Sequence, residues 1–319
     1  MIEPAKKLTP SSFASSLEPA LIKQTNQKLS DIHWFRTDWQ RSGATTAFAK
    51  WETDNEKLID VVIKFPIKEK ELRWTRLMQK SDGVAPRILD SGEQLSGYDL
   101  AWLVIERFPY GPLGKHWDNR NIERIADAAA RFTKFASTHE IDQDGRKEDW
   151  PALMQKAKNS VRKNHIANES KWKKAHSHLS KNLSRVLEQW RGRRIDQWLH
   201  GDIHLANAMC REKCSDSPVS LIDLAEVHAG HWIEDAVYLE RQLWGYKSRL
   251  KLTKPVQTMA KARKKHRLQV NDNYSELVDI RRILLAATAP TFMLSEGDPR
   301  YLAACLEQFQ NAMDRLNLK

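Results

Sequence analysis

The pattern of apolar and polar positions changes along the chain. Between Ile32 and Phe108 the apolar residues form short runs separated by turn-like stretches, and this pattern predicts strands. The clearest run is Leu58–Ile63, which is rich in β-branched residues and ends at Lys64. Within this part, only the stretch Ile67–Gln79 has apolar residues at helical spacing. The first third of the chain is therefore predicted to be mainly strands.

Helical periodicity dominates after a Pro/Gly-rich connector at Pro109–Gly114. Strands followed by helices indicate an α+β fold, here a small strand-rich N-lobe followed by a large helical C-lobe. We predict an N-terminal arm with a short helix at 1–30, an N-lobe at 31–108 and a C-lobe at 109–319. Helices are predicted in the C-lobe at 121–139, 151–166, 171–190, 233–248, 255–268, 273–290 and 298–315.

Composition narrows the class of protein. A hydrophobic content of 41% with 12 tryptophans supports a folded core and argues against a disordered chain. The three cysteines, Cys210, Cys214 and Cys305, are too few for a disulfide framework, so we expect thiols in a reducing compartment. No run of 18 apolar residues predicts a membrane span, and the first residues lack an apolar leader. A cytoplasmic protein is expected.

The formal net charge of +11 is concentrated in two segments. Residues 145–195 hold 14 basic and 4 acidic residues, and residues 247–268 hold 9 basic and no acidic residues, so the rest of the chain is negative. The two segments are solvated helix faces, or they form a positive surface for a phosphorylated substrate, nucleic acid or lipid head group. The sequence leaves both readings open.

The segment from His200 to Asn207 carries the main chemical signal, His-Gly-Asp-Ile-His-Leu-Ala-Asn. Asp202 and Asn207 have the spacing of the kinase catalytic loop, H-R-D-x-x-x-x-N. A carboxylate can orient an attacking hydroxyl and accept its proton, and an amide oxygen can bind Mg²⁺ without a second full charge. The β-prone run Val219–Ile222 is followed by Asp223, which lies sixteen residues after Asn207. In kinases, a second magnesium ligand occupies this place.

Together with Gly230 and Asp235, this pattern resembles the aminoglycoside phosphotransferase and choline kinase family. The resemblance covers most of residues 35–245 and implies a bilobal, protein-kinase-like fold. It implies that Asp202 is the catalytic base and that Asn207 and Asp223 bind magnesium. Asp235 would brace the catalytic loop. His200 and His204, which are not at metal-ligand spacing, would be scaffolding.

The N-lobe offers residues for the nucleotide. Lys64 ends the run Val-Val-Ile-Lys, like the phosphate-binding lysine of V-A-I-K, and needs an acid on the next helix. Glu71 is the chosen partner, with Glu69 as the alternative. Residues Ser42, Gly43 and Thr45 occupy the place of a phosphate-covering loop, although they lack G-x-G-x-x-G. The run 104–108, which includes Glu106, would be the hinge whose backbone holds adenine.

We therefore predict an enzyme that moves the γ-phosphate of ATP or GTP, with Mg²⁺, to a hydroxyl of a small molecule. The basic segments favour a neutral or anionic acceptor over a polycationic one. The alternative is a catalytically weak kinase fold whose basic helices bind nucleic acid or an anionic membrane. A protein Ser/Thr kinase ranks last, because no A-P-E follows Asp223.

Overall fold

A computed structural model describes residues 14–35, 44–213, 217–270 and 274–318. The chain divides into two compact units. Unit 1 comprises Met1–Lys115 and Ala206–Val227, and unit 2 comprises His116–Leu205 and His228–Lys319. The expected α+β class is confirmed, because unit 1 is built on an antiparallel sheet and unit 2 is mainly helical.

Unit 1 contains a five-stranded antiparallel sheet with the order β1-β2-β3-β5-β4, and a two-stranded hairpin formed by β7 and β8. The helices α1 and α2 belong to this unit. Its elements are α1 (Glu18–Gln24), β1 (Leu29–Phe35), β2 (Thr45–Glu52), β3 (Leu58–Ile67), α2 (Glu69–Leu77), β4 (Ile88–Gly92), β5 (Ala101–Glu106), β7 (Ala208–Cys210) and β8 (Val219–Leu221).

Alternation along β3 gives the sheet two apolar faces. Val61, Ile63 and Phe65 are buried in a cluster that also contains Leu21 of α1. Val62 packs on the other face, in a cluster that contains Leu72 of α2. Because successive side chains of a strand point to opposite faces, Lys64 lies on the same face as Val62 and therefore on the side of α2. The strand alternation thus directs the one cation of β3 towards a helix.

Counted over its described residues, unit 2 contains nine α-helices and a small β6–β9 sheet. The largest buried side chains of its core include Trp172, Trp190, Trp198, Trp244, Phe132 and Phe309. Its elements are α3 (Arg120–Ala136), α4 (Trp150–Lys163), α5 (Glu169–Arg191), β6 (Gln197–Leu199), β9 (His228–Gly230), α6 (Ile233–Arg241), α7 (Lys247–Thr253), α8 (Pro255–Lys265), α9 (Tyr274–Thr288), α10 (Met293–Glu296) and α11 (Pro299–Arg315); α10 is a single turn.

Local chemistry sets several helix starts in unit 2. The side chain of Asp149 accepts a hydrogen bond from Ala152 N at the start of α4, and Asp298 accepts from Arg300 N and Tyr301 N at the start of α11. Both helices have proline in the first turn, where the missing N–H costs nothing. The observed starts of both helices lie within one residue of the starts predicted from the sequence, 151 and 298.

The structure departs from the sequence prediction in three places. The helix predicted over 233–248 ends at Arg241, and a separate helix, α7, begins at Lys247. Strand β3 continues past Lys64 to Ile67. The three-residue strands β6, β7 and β9 were not predicted, because a run of three residues is too short to show a period.

Two further expectations concern the cysteines and the membrane. Cys305 is a free, buried thiol, but Cys210 is disulfide-bonded, so the expectation of a thiol was wrong there. Cys214 lies outside the described residues. Over those residues, no helix combines the length and the hydropathy that a bilayer-spanning segment requires.

Candidate active site

Unit 1 brings Lys64, Glu71 and Asp223 together. The Lys64 ammonium contacts the Glu71 carboxylate and lies 3.3 Å from Oδ1 of Asp223. Glu71 is buried on the inner side of α2, whereas Glu69 at the start of that helix is exposed. Of the two acids that the sequence offered as the partner of Lys64, Glu71 makes the contact.

The charges around Lys64 keep it protonated. Burial alone would lower the pKa of the Lys64 ammonium, but the carboxylates of Glu71 and Asp223 outweigh burial and raise it. A permanent cation thus lies beside an acid whose side chain is 35% exposed, that of Asp223. Such a cation can neutralise phosphate oxygens that reach it.

The hairpin of β7 and β8 carries the proposed magnesium ligands. Asn207 precedes β7, Asp223 follows Ile222 at the end of β8, and Ile222 N donates a 3.0 Å hydrogen bond to Asn207 O. Asp223 adopts φ 65° and ψ 67°, a left-handed conformation that is uncommon for a residue other than glycine. Such conformations cluster at functional sites, which supports Asp223 as a site residue.

The donor set suits magnesium. Asn207 and Asp223 contribute an amide oxygen and a carboxylate, the hard ligands that Mg²⁺ prefers. No group of three or more His, Cys, Asp or Glu side chains is placed to hold a metal within the described ranges. The arrangement fits an ion that keeps waters and substrate phosphates as its other ligands, which is usual for Mg²⁺ at nucleotide sites.

The structure describes only some of the other residues that the sequence assigned to the nucleotide. Ser42 and Gly43 lie outside the described residues, while Thr45 is buried at the first position of β2. The Glu106 carboxylate accepts hydrogen bonds from Arg87 N at 2.7 Å and Arg211 Nε at 3.2 Å. These bonds occupy the Glu106 side chain, so any contact of this residue with adenine would come from its backbone.

Unit 2 holds Asp202 by both carboxylate oxygens. The hydroxyl of Tyr238, on α6, donates a 2.6 Å hydrogen bond to Oδ1 of Asp202. Nε2 of His204 lies 3.4 Å from Oδ2. His204 is therefore in direct contact with the candidate base, a position that is compatible with the scaffolding role implied by the family resemblance.

These contacts keep Asp202 ionised. Burial would raise the pKa of the Asp202 carboxyl, but the hydrogen bonds from His204 and Tyr238, with the nearby charge of His200, hold that pKa well below its usual range. Burial, together with the charge of Asp202, raises the pKa of Tyr238 to about 12, so its hydroxyl remains a donor at neutral pH. The carboxylate is thus suited to orienting a hydroxyl group.

Asp235 fixes the backbone before Asp202. Its Oδ2 and Oδ1 accept hydrogen bonds from His200 N and Gly201 N, each at 3.0 Å. Gly201 has φ 79°, a conformation that glycine adopts without steric cost. Gly230 has a different reason to be glycine, because a Cβ there would lie 2.7 Å from atoms of Glu234 and Leu199. The brace predicted for Asp235 has the geometry expected of it.

Both basic segments hold exposed and buried charges. On α5, the lysines Lys171, Lys173, Lys174 and Lys181 are exposed. Other charges point inwards: Arg193 is buried and donates to Glu234 Oε1 at 2.9 Å. In the second segment, Arg263 is buried and donates to Gln269 O. The charge runs are therefore partly solvated faces and partly internal ion pairs and hydrogen bonds.

Sequence reasoning missed two residues of these arrangements. Tyr238 was indistinguishable from the other apolar and aromatic positions of its helix. Arg211 lies in a segment in which we recognised no motif. Its guanidinium donates hydrogen bonds to Gly83 O, Ala85 O, Ser220 Oγ and the Glu106 carboxylate. The only available signal was that Tyr238 follows Asp235 by three residues, and so lies on the same side of α6.

A known protein family matches the part of the chain that contains these residues. The profile of the phosphotransferase enzyme family matches residues 52–265, about two thirds of the chain, including Lys64, Asp202, Asn207 and Asp223. No curated protein matches the chain.

Several solved structures share the fold. A microcompartment-associated aminopropanol kinase is 12% identical, with a TM-score of 0.61 over 94% of this chain and 98% of that one. Spectinomycin phosphotransferase APH(9)-Ia, in complex with ADP and spectinomycin, is 13% identical, with a TM-score of 0.55 over 93% of each chain. A thermostable mutant of aminoglycoside phosphotransferase APH(4)-Ia, in a ternary complex with AMP-PNP and hygromycin B, is 12% identical, with a TM-score of 0.54 over 94% of this chain and 98% of that one.

Proposed function

The chain belongs to the phosphotransferase enzyme family, and we propose that it transfers the γ-phosphate of ATP or GTP to a hydroxyl group of a small molecule. The observation that carries this proposal is the contact of Lys64 with both Glu71 and Asp223. A buried cation between two acids, one of them partly exposed, suits the phosphates of a nucleotide.

Each residue has a proposed role. Lys64, held by Glu71, binds nucleotide phosphates, and the backbone of the run 104–108 binds adenine. Ser42, Gly43 and Thr45 are proposed to cover the phosphates. Asn207 and Asp223 would hold magnesium, which would supply charge neutralisation on the phosphate oxygens.

The chemical step follows from the state of Asp202. Its ionised carboxylate orients the acceptor hydroxyl and accepts its proton as the oxygen bonds to the γ-phosphorus. The bond from that phosphorus to the β-phosphate bridging oxygen breaks, and the products are the phosphorylated acceptor and the nucleoside diphosphate. Because the pKa of Asp202 is low, we expect orientation to contribute more than proton abstraction.

The class of acceptor, the roles of the two parts of the chain and the cellular location are also proposals. A neutral or anionic acceptor is proposed because basic residues are dense in the segments 145–195 and 247–268. The assignment of residues 31–108 to the nucleotide, and of 109–319 to the catalytic loop and acceptor, rests on the sequence. A cytoplasmic location also rests on the sequence alone.

Thermal stability in the presence of nucleotide tests this function. A ligand that binds only the native state raises the free energy of unfolding, by about 2.7 kcal/mol at 100 times its dissociation constant. ATP or GTP with magnesium should stabilise the wild type and Asp202→Ala, but Asp223→Ala much less. Asp202→Ala should have almost no turnover.

Two results would contradict the proposal. Equal loss of nucleotide binding in Asp202→Ala would refute the role given to that residue. If neither nucleotide stabilises the wild type, the binding-module alternative gains support. Salt-dependent binding of RNA or anionic vesicles would then be measured, because contacts with phosphates release counterions and weaken as salt rises.

A further inference from the structure

An arginine in unit 2 lies between two aromatic rings. The guanidinium carbon of Arg249, on α7, is 4.4 Å from the ring centre of Trp117 and 4.8 Å from that of Tyr246. Guanidinium groups stack well on aromatic faces, and stacking leaves the N–H donors at the edge of the plane accessible. The two rings thus restrict the orientation of the guanidinium.

This guanidinium lacks a carboxylate partner among the residues that the structure describes. The acids of the neighbouring segments are paired elsewhere: Asp118 with Arg120, Glu307 with Lys247, and Asp298 with Arg300. An oriented guanidinium without a counter-charge is suited to bidentate hydrogen bonds with a phosphate or carboxylate.

A depression adjoins the same tyrosine. It has a volume of about 550 Å³, and Arg300 lies 6.0 Å from the ring centre of Tyr246. A second guanidinium therefore faces this ring. The depression is lined by Trp244, Tyr246, Lys247, Ser248, Arg300 and Glu307, among others.

The arginine is connected through the chain to the catalytic loop. Tyr238, whose hydroxyl donates a hydrogen bond to Asp202, lies on α6, and Tyr246 follows it by eight residues, after that helix has ended at Arg241. Between them, Gln242 Nε2 donates a 3.0 Å hydrogen bond to Ile203 O in the catalytic loop. The segment that leads to Tyr246 and Arg249 is therefore held to the catalytic loop by two side-chain hydrogen bonds.

We propose that Arg249, held between Trp117 and Tyr246, binds a phosphate or carboxylate group of the acceptor whose hydroxyl reaches Asp202. This inference rests on the proposed function and narrows its acceptor class from neutral or anionic to anionic. Arg249 is then a residue that determines specificity.

Matched acceptors test the inference. Nucleoside diphosphate release is measured with glycerol against glycerol 3-phosphate, and with glucose against glucose 6-phosphate. The anionic member of at least one pair should be the better substrate. Arg249→Met should raise its KM by about tenfold or more, and should leave the KM of the neutral member unchanged. Arg249→Lys, which keeps the charge but not the planar donors, should have an intermediate effect.

Lys251→Met is the matched control, because Lys251 is exposed on the same helix and its loss changes the net charge equally. Its KM values should stay within about twofold of the wild type. Equal effects of the Arg249 and Lys251 substitutions would overturn the inference, as would preference for the neutral member in both pairs.

A binding measurement separates failure of this inference from failure of the proposed function. If no acceptor releases diphosphate, inorganic phosphate is titrated by calorimetry at constant ionic strength, with excess ADP present to occupy the nucleotide site. Phosphate binding that disappears in Arg249→Met but persists in Lys251→Met supports the anion site. Absence of binding to the wild type overturns it.

Discussion

The hydroxyl of Tyr238 donates a 2.6 Å hydrogen bond to Oδ1 of Asp202, and Nε2 of His204 lies 3.4 Å from Oδ2. The carboxylate is thereby fixed in orientation and kept ionised in a largely buried place. A carboxylate on which two groups converge is a positioned group, which agrees with catalysis by orientation.

Removal of the Tyr238 hydroxyl should impair turnover. In Tyr238→Phe, Asp202 loses one hydrogen bond to a charged group, worth about 1.5–3 kcal/mol, so kcat should fall by about tenfold or more. The KM of the nucleotide should not change, because Tyr238 lies in the unit that carries Asp202 rather than Lys64. Steady-state kinetics measure both, and a change in nucleotide KM alone would contradict the assignment.

The same variant should shift the pH profile of kcat/KM. The folded-state pKa of Asp202 lies below its ordinary value, so the active, ionised form persists as the pH falls. Without the Tyr238 hydroxyl this pKa rises, and the acid limb should move to higher pH. Profiles are compared down to the lowest pH at which both proteins stay folded, because the acid limb of the wild type lies below the ordinary carboxyl pKa of about 4. An unmoved acid limb would show that the hydrogen bond does not affect the titration of Asp202.

Two neighbouring acids on α2 form a matched pair. Glu71→Gln removes the carboxylate that contacts Lys64, so the catalytic efficiency with nucleotide should fall by about tenfold or more. Glu69→Gln changes the same charge two residues away, at an exposed position, and should behave like the wild type. Steady-state kinetics with varied nucleotide compare the two variants. If Glu69→Gln lost more catalytic efficiency than Glu71→Gln, Glu69 would be the functional partner of Lys64.

The brace of the catalytic loop predicts a stability effect. In Asp235→Asn, one of two N–H donors would face an amide NH₂ in place of an oxygen, so the free energy of unfolding should fall by about 3 kcal/mol. Turnover should fall as well, because the loop precedes Asp202. Urea unfolding measures the stability. The control is Asp196→Asn in an exposed ion pair with Arg194, expected to cost less than about 1 kcal/mol.

Glu234 predicts a pH dependence of stability. Burial would raise the pKa of Glu234, but His228, Arg281 and Arg193 outweigh burial and lower it from 4.5 to about 2. Because the folded-state pKa is the lower one, its stabilisation is present above about pH 4.5 and lost as the pH falls towards about 2. The full difference corresponds to about 3 kcal/mol.

Glu234→Gln should therefore flatten the stability curve over that range. Unfolding free energies at several pH values test this, with Glu276→Gln at an exposed position as the control. The Glu234 variant should also be less stable at neutral pH by about 3 kcal/mol, because Arg193 is left buried without its carboxylate. Parallel curves for the wild type and Glu234→Gln would contradict the assignment.

The sequence by itself determined the α+β class and, through the motif spacing of Asp202, Asn207 and Asp223, the family. Both are readable because strand and helix periods are local, and because a catalytic loop places its groups at fixed offsets along the chain.

Only the tertiary structure decided which groups meet. Glu71 and Glu69 are equally acidic in sequence, and the rotation of α2 against the sheet chose between them. The contacts of Tyr238 with Asp202 and of Arg211 with Glu106 join residues 36 and 105 positions apart. Such contacts follow from packing of distant elements, which no local period specifies, so the parts played by Tyr238 and Arg211 lay beyond sequence reasoning.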